Sequence, residues 1–399
     1  MGRYSWNGIL VMPEDLIKFA WSAPMRDLAS QVGLSDVGLK KLLNSYDIVS
    51  PPQGHWNKVI AGKPVTSPPK PQERRPGEHG RIRIDQRFAK VVPVAAPLPS
   101  TGPFASKHVP EDLAELRSRE LQAIGTATVP KSLDRPHKSL RGLLAKEAKR
   151  KEKAVQSRWD WNPCQFDSPV AKRKLRLMNA IFLTLAKRGH DGDFYEREGE
   201  IESWAVVGNT RVGFDIVVSG SEKHSRHRGG GQNISALPLG TPLTLLMKPS
   251  SASEKAEKWV DDDNGKLESK IAQIVASLIT EGESSFRRGL REAEERIEAA
   301  RIASEKRRQE KLIALNRQRV EDLHKSAELL RQARDIRLVV AEVRAALAPR
   351  FSANPEELRT WEAWALTEAD KIDPVLTGQV HTHIREPTLP PSDDEAFRW

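Results

Sequence analysis

Cysteine is almost missing from this 399-residue chain: Cys164 stands alone, which rules out an internal disulfide and any zinc site built on paired cysteines. A reducing cytoplasm is the compartment this predicts. Long apolar runs are missing too. The richest stretch, around Ile271 to Ile279, falls far short of the roughly 20 residues that cross a bilayer, and nothing has the form of an export signal, so no membrane association is expected. Catalytic and cofactor signatures are equally scarce. His224 and His227 lie three apart in a glycine-rich stretch, and Asp261, Asp262 and Asp263 form an acidic cluster, but neither set comes with further ligands on regular elements. Gly229 to Gly231 lacks the Lys-Ser/Thr of a phosphate loop, and Cys164 between Pro163 and Gln165 has no sequence-adjacent base. The expectation is a protein that is not an enzyme and carries no cofactor or metal.

What is present is charge and helical patterning. Lys and Arg number 64 against 54 Asp and Glu, a formal net charge of +10 that favours a polyanionic partner or simply aids solubility. Met25 to Asn44 (MRDLASQVGLSDVGLKKLLN) has the spacing of a helix-turn-helix: small Ala29 where two helices would touch, Gly33 four residues later at the turn, and Leu28, Leu34, Leu39 and Leu42 for buried contacts. Wound as a helix, Leu34 to Tyr46 places Leu39, Leu42, Leu43 and Tyr46 on one side. Val37, Lys40, Lys41 and Asn44 fall on the other, the side that would enter a major groove. Ser35 and Asp36 open that helix and join the expected DNA-binding set. Gly38 inside it costs about 1 kcal/mol relative to Ala unless the backbone there approaches something. Pro13 to Trp21 supplies a preceding helix with proline in its first turn. The alternative is an ordinary helical hairpin.

Asp47 to Pro64 (DIVSPPQGHWNKVIAGKP) is too rich in proline and glycine for a long helix. Gln53, His55, Lys58 and Lys63 are expected to lie beside a duplex and meet it, whereas Trp56 either anchors the segment or folds back onto the helices. Together, Phe19 to Pro64 resembles the start of an uncharacterised family of bacterial helix-turn-helix proteins. Trp21, Pro24 and Met25 carry that resemblance, with Pro51, Pro52, Gly54, His55, Trp56, Lys58, Ala61, Gly62 and Lys63. Gln53 stands where that family usually has arginine and His55 where it usually has tyrosine. The resemblance returns at Trp361, Trp364, Ala365, Ala369, Asp370, Ile372, Asp373 and Pro374. It implies a DNA-binding module and no known reaction.

Residues 65–130 read as a proline-rich linker, with one short strand at Arg81 to Phe88 and a helix at Glu111 to Ile124. In residues 131–158, ten basic residues (Lys131, Arg135, Lys138, Arg141, Lys146, Lys149, Arg150, Lys151, Lys153, Arg158) face three acidic ones (Asp134, Glu147, Glu152), a local charge of +7. This run grips phosphates or is a solvated helix face. Residues 159–280 read as a small α+β domain. It opens with a Ser168-capped helix whose stripe is Leu175, Met178, Ile181, Phe182 and Leu185. Strands are expected at Ser203 to Val207, Arg211 to Val218 and Thr241 to Met247, with a hairpin at Gly208 and Asn209 and a basic loop from Ser219 to Gly231.

Residues 281–349 read as a long charged helix. No glycine or proline occurs from Leu290 to Ala348, so a single helix there would reach about 90 Å at 1.5 Å per residue. Such a helix pairs as a coiled-coil homodimer, folds back on itself, or stands alone on i,i+4 charge pairs. Residues 350–376 form a C-terminal helix with Trp361, Trp364, Ala365 and Ile372 on its apolar face, and 377–399 read as a disordered tail. The fold class expected is mainly α with a small α+β middle domain. The function expected is sequence-specific binding of double-stranded DNA in the bacterial nucleoid, as a transcription regulator or mobile-element accessory acting as a dimer. The rival is a structural adaptor whose long helix and tryptophan helix bind a protein partner.

Overall fold

The computed structural model describes residues 8–156, 164–197, 200–220, 237–238, 240–248, 256–350 and 354–388. The chain divides into two units, Met1–Ala293 and Glu294–Trp399.

In the first unit, β1 (Gly8–Val11) leads into α1 (Pro13–Ala20), α2 (Met25–Gln31) and α3 (Asp36–Ser45), followed by the short α4 (His55–Ile60). Proline begins α1, where its missing N–H has no helical partner to lose. Leu16, Phe19, Leu28, Ala29, Leu39 and Leu43 are buried in one cluster, because the apolar positions of three short helices converge on it. The α2–α3 connection turns at Gly33, whose φ of 65° is left-handed and open to glycine at no steric cost. The Leu34 N–H donates to Ala29 O at 2.9 Å and closes the turn.

Residues 65–110 are not a free linker. β2 (Ile82–Asp85) pairs antiparallel with β1, with Gly8 opposite Asp85 and Val11 opposite Ile82. The strand expected between Arg81 and Phe88 is therefore half of a two-stranded ribbon closing the N-terminal helices. Ile84, Phe88 and Val92 complete their core, and the Phe88 ring meets Phe19 edge-on at 5.7 Å. Arg87 binds the Asp85 carboxylate and reaches Gly33 O in the α2–α3 turn at 3.3 Å. The segment orders because a few well-placed apolar side chains find a core formed elsewhere, which a composition average hides.

Next come α5 (Leu113–Ile124) and α6 (Leu140–Gln156). The described part of the basic run is thus largely an amphipathic helix. Leu140 and Leu143 sink into the middle core while Lys146, Lys149 and Lys153 face water. Arg158 lies outside the described residues.

α7 (Pro169–Lys187) begins at Ser168, whose hydroxyl accepts from the Ala171 N–H at 3.2 Å. Every member of its expected stripe is buried. It lies against an antiparallel meander of β3 (Asp191–Arg197), β4 (Glu200–Val207), β5 (Thr210–Val218), β6 (Leu243–Met247) and β7 (Lys258–Val260), hydrogen-bonded in that order. The two edge strands went unread in the sequence. β3 is polar (DGDFYER) and β7 is only three residues long, so neither carries alternation enough to register. The basic loop expected between β5 and β6 falls mostly outside the described residues, His224 and His227 included.

α8 (Ile271–Arg350) belongs to both units. Within the first, Ile271, Ile274, Val275, Leu278 and Ile279 fill the middle core. Residues 72–111 strap across its next turns. The Glu283 carboxylate accepts from Arg74 Nη2, from Arg287 Nε at 2.7 Å and from the Gly77 N–H at 2.8 Å, while Leu98 and Phe104 pack on Phe286. Gly77 is required there. At φ 75° it lies so close to β4 that a Cβ would sit 2.1 Å from Val207 O.

In the second unit α9 (Pro355–Ile372) runs antiparallel to the later turns of α8. Arg337 binds Asp370 at 2.7 Å and Asp373 at 2.8 Å, and Ala333, Val340, Ala365 and Ala369 are buried. The small α10 (His381–Ile384) continues the fold-back, with Arg319 Nε donating to His383 O at 2.7 Å. The antiparallel fold-back is therefore the arrangement of this part of α8. Residues 377–388, read as the start of a disordered tail, include α10; 389–399 lie outside the described residues.

Candidate nucleic-acid interface

α3 is the element whose exposed side matches the expected reading face. Its first turn is set by Ser35, whose hydroxyl accepts from the Gly38 N–H at 3.1 Å, satisfying a donor that the helix itself leaves unpaired. Gly38 then has its explanation: a Cβ there would stand 2.9 Å from Ser35 Oγ. The Asp36 carboxylate accepts from the Val37 N–H at 2.8 Å. It favours the helix N-terminus while opposing an incoming phosphate.

With Leu39 and Leu43 turned into the core, the period of 3.6 puts Val37, Lys40, Lys41 and Asn44 in solvent. Val37 is 58% exposed, unusual for a β-branched apolar side chain on a short helix. Among the described residues the side chains of Lys40, Lys41 and Asn44 have no hydrogen-bond or ion-pair partner, so they are free to meet a ligand. That surface is chemically suited to a major groove: apolar contact for a thymine methyl, an amide for adenine, and ammonium groups for guanine or phosphate.

Gln53, Lys58 and Lys63 are also exposed, on and around α4, which starts from Gly54 in the left-handed region (φ 79°). His55 corrects the expectation. It is 7% exposed and enclosed by two tryptophans, meeting Trp21 edge-on at 5.2 Å and Trp56 at 5.1 Å. Its ring pins α4 to the helical core and is not available to a phosphate outside. The Trp21 indole N–H donates to Val49 O at 2.8 Å and ties the same corner. Trp56 is half-buried beside it, so the Pro-Pro segment is anchored by aromatic contacts while its lysines stay outside.

Arg83 and Lys90, which the sequence placed in a linker, are exposed on the β2 side of the same folded unit. Strand alternation about Ile84 is the signal that could have brought Arg83 into the candidate set.

In the acidic cluster, Asp261 and Asp262 are each taken up by a cation. Asp261 accepts two hydrogen bonds from Arg173, at 2.7 and 3.1 Å, and one each from the Leu243 and Leu267 N–H groups. These contacts hold its carboxyl below the usual range despite burial. Asp262 pairs with Lys270 at 2.7 Å. Among the described residues no group of three or more His, Cys, Asp or Glu side chains is placed to hold a metal ion, and no helix is long and apolar enough to cross a membrane. Cys164 is a half-buried free thiol. Compared with protein-family models, curated proteins and solved structures, the chain matches none.

Proposed function

We propose that the chain is a bacterial double-stranded-DNA-binding protein of the helix-turn-helix kind, with α2 and α3 as the two helices and α3 as the reader. The observation that carries this reading is the polarity of α3. One side is buried in the core, and the other exposes Val37, Lys40, Lys41 and Asn44, whose side chains have no partners among the described residues. Lys58 and Lys63 contact the phosphate backbone beside it. The resemblance of Phe19 to Pro64 to bacterial helix-turn-helix proteins supports the same reading, and a transcription regulator or mobile-element accessory in the nucleoid is the role that fits it.

Fluorescence anisotropy tests it in two parts. Lys40→Ala, Lys41→Ala, Asn44→Ala in one chain is expected to weaken binding to the preferred site while narrowing its margin over random DNA, each lost base contact being worth about 1–3 kcal/mol. Lys58→Ala with Lys63→Ala is expected to weaken all sequences alike and to reduce the salt slope by about two units, one for each phosphate contact. Affinities equal to wild type at every salt concentration would sink the reading.

Pairing of two copies would multiply a modest basic face. In the second unit Ile302, Ile313, Val320 and Leu323 are exposed along α8, and this part of the 281–349 helix, left uncovered by α9, is the surface we assign to a homodimer. Sedimentation should find a dimer that Ile313→Glu with Val320→Glu converts to monomer; an unchanged mass would remove that part.

A second reading has its own support. Trp364 is 60% exposed on α9, with Val375 and Leu376 exposed just after it, a set suited to a protein partner. If this adaptor role is the main one, a chain lacking residues 1–64 retains its partner and its cellular function.

A further inference from the structure

Away from α3, the end of α7, the start of β3, the end of β4 and the turn before α6 line an open cleft of about 630 Å³, a size that suits a small molecule. It lies wholly in the first unit.

Its polar groups fall into two sets. One is already satisfied. His137 Nε2 meets Asp191 at 3.2 Å, its Nδ1 accepts from the Ser139 N–H, and Lys138 closes on the other oxygen of Asp191. The second set is not. His190 is 8% exposed, and its Nδ1, without a hydrogen-bond partner among the described residues, is turned away from the cleft into the protein. The Glu78 carboxyl is half-buried and has no hydrogen bond or ion pair among the described residues, and Arg141, which lines the same cleft, carries an exposed guanidinium likewise without a partner among them. Burial raises the Glu78 carboxyl above the ordinary carboxylate range, with Arg75 and Arg74 opposing it only in part. The placement is deliberate in the fold. Glu78 follows Gly77, which Glu283 binds through its N–H and whose carbonyl accepts from the Asn209 N–H at 2.9 Å.

A half-buried carboxyl and a guanidinium, both without partners among the described residues and lining one cleft, suit a ligand bearing both an anion and a donor. We infer that this cleft binds a small metabolite with one anionic group, phosphate or carboxylate, held by Arg141, and an N–H donor held by Glu78. The inference is independent of DNA binding.

Titration calorimetry of the full chain with guanosine 5′-monophosphate, L-glutamate and inorganic phosphate tests it. One of the two organic probes is expected to bind, and which one identifies the anion as phosphate or carboxylate. Arg141→Ala and Glu78→Gln should each weaken it by about tenfold, the loss of a charge-assisted hydrogen bond. Both positions are at the surface or conservatively replaced, and unchanged circular-dichroism melting would verify that each variant is folded. Absence of heat from both organic probes at millimolar concentration overturns the proposal. So does binding that neither variant weakens, or inorganic phosphate binding as tightly as the nucleotide, since the Glu78 half of the site would then contribute nothing.

Discussion

Replacing Glu283 by alanine is expected to destabilise the first unit by about 3–5 kcal/mol, the usual consequence of removing one member of a buried ion pair. The carboxylate is 0% exposed. Its loss strands two guanidiniums that have little water to turn to: Arg74, stacked near Phe286 at 5.2 Å, and Arg287, over Phe104 at 4.6 Å. It also frees the Gly77 N–H, so the strap over α8 and β4 loses its central tether. Urea denaturation measures the loss, and limited proteolysis between residues 65 and 110 should accelerate in step. A well-packed apolar replacement of all three, Arg74→Met, Glu283→Leu and Arg287→Met, is expected to recover much of the difference, because the pair's attraction is largely cancelled by the desolvation of its members. A cost below about 1 kcal/mol for Glu283→Ala would show that the network is wetter than its geometry implies.

The second large effect is a loss of stability on mild acidification. Burial pushes the His190 imidazole down from its ordinary 6.5 to about 4, with Arg188 and Arg75 nearby adding to the fall and Glu120 opposing it. His137 is shifted in the same direction, also by burial. For a group whose pKa is lower in the folded state, the contribution is fully present above the unfolded value. It is lost as the pH falls through the interval between the two, since only the unfolded chain takes up the proton there. For His190 that window runs from 6.5 down to about 4, and its full depth is about 3 kcal/mol at 1.36 kcal/mol per unit. Denaturant midpoints measured across this range should fall steadily, and His190→Gln should flatten the profile whatever its starting stability. The buried carboxylates act later: Asp261, held low by Arg173 and two backbone N–H groups, gives up its contribution only below the ordinary carboxylate range. A wild-type profile level between pH 6.5 and 4 would count against the enclosed position of His190.

How far the residues alone lead differs from one element to the next. α7 and the β4–β5 hairpin could be read directly. Ser168 before Pro169, apolar positions at helical spacing, and Gly208-Asn209 between alternating runs are local signals whose partners lie within a few residues. The exposed side of α3 follows from the same logic, because burying Leu39 and Leu43 leaves Lys40, Lys41 and Asn44 no other direction. His55 shows the limit. Its sequence neighbours suggested a cation near phosphate, yet Trp21, 34 positions earlier, is what encloses it. The cleft is less legible still, since Glu78, Arg141 and His190 come from three separate stretches and share no spacing.

The sequence by itself determined the helical character of the chain, the small sheet with its central hairpin, the polarity of α3 and the uninterrupted run of α8, since each depends on periodicity and caps within one stretch. Only the tertiary structure decided that residues 65–110 are a strap, that α9 folds back along α8, and that Asp261 is a structural anchor. It also decided which charged groups line the cleft beside α7. Those outcomes rest on pairings such as Arg74 with Glu283 and Arg173 with Asp261. The energy of such pairs depends on burial and on partners far away in the chain, and neither is written in any local pattern.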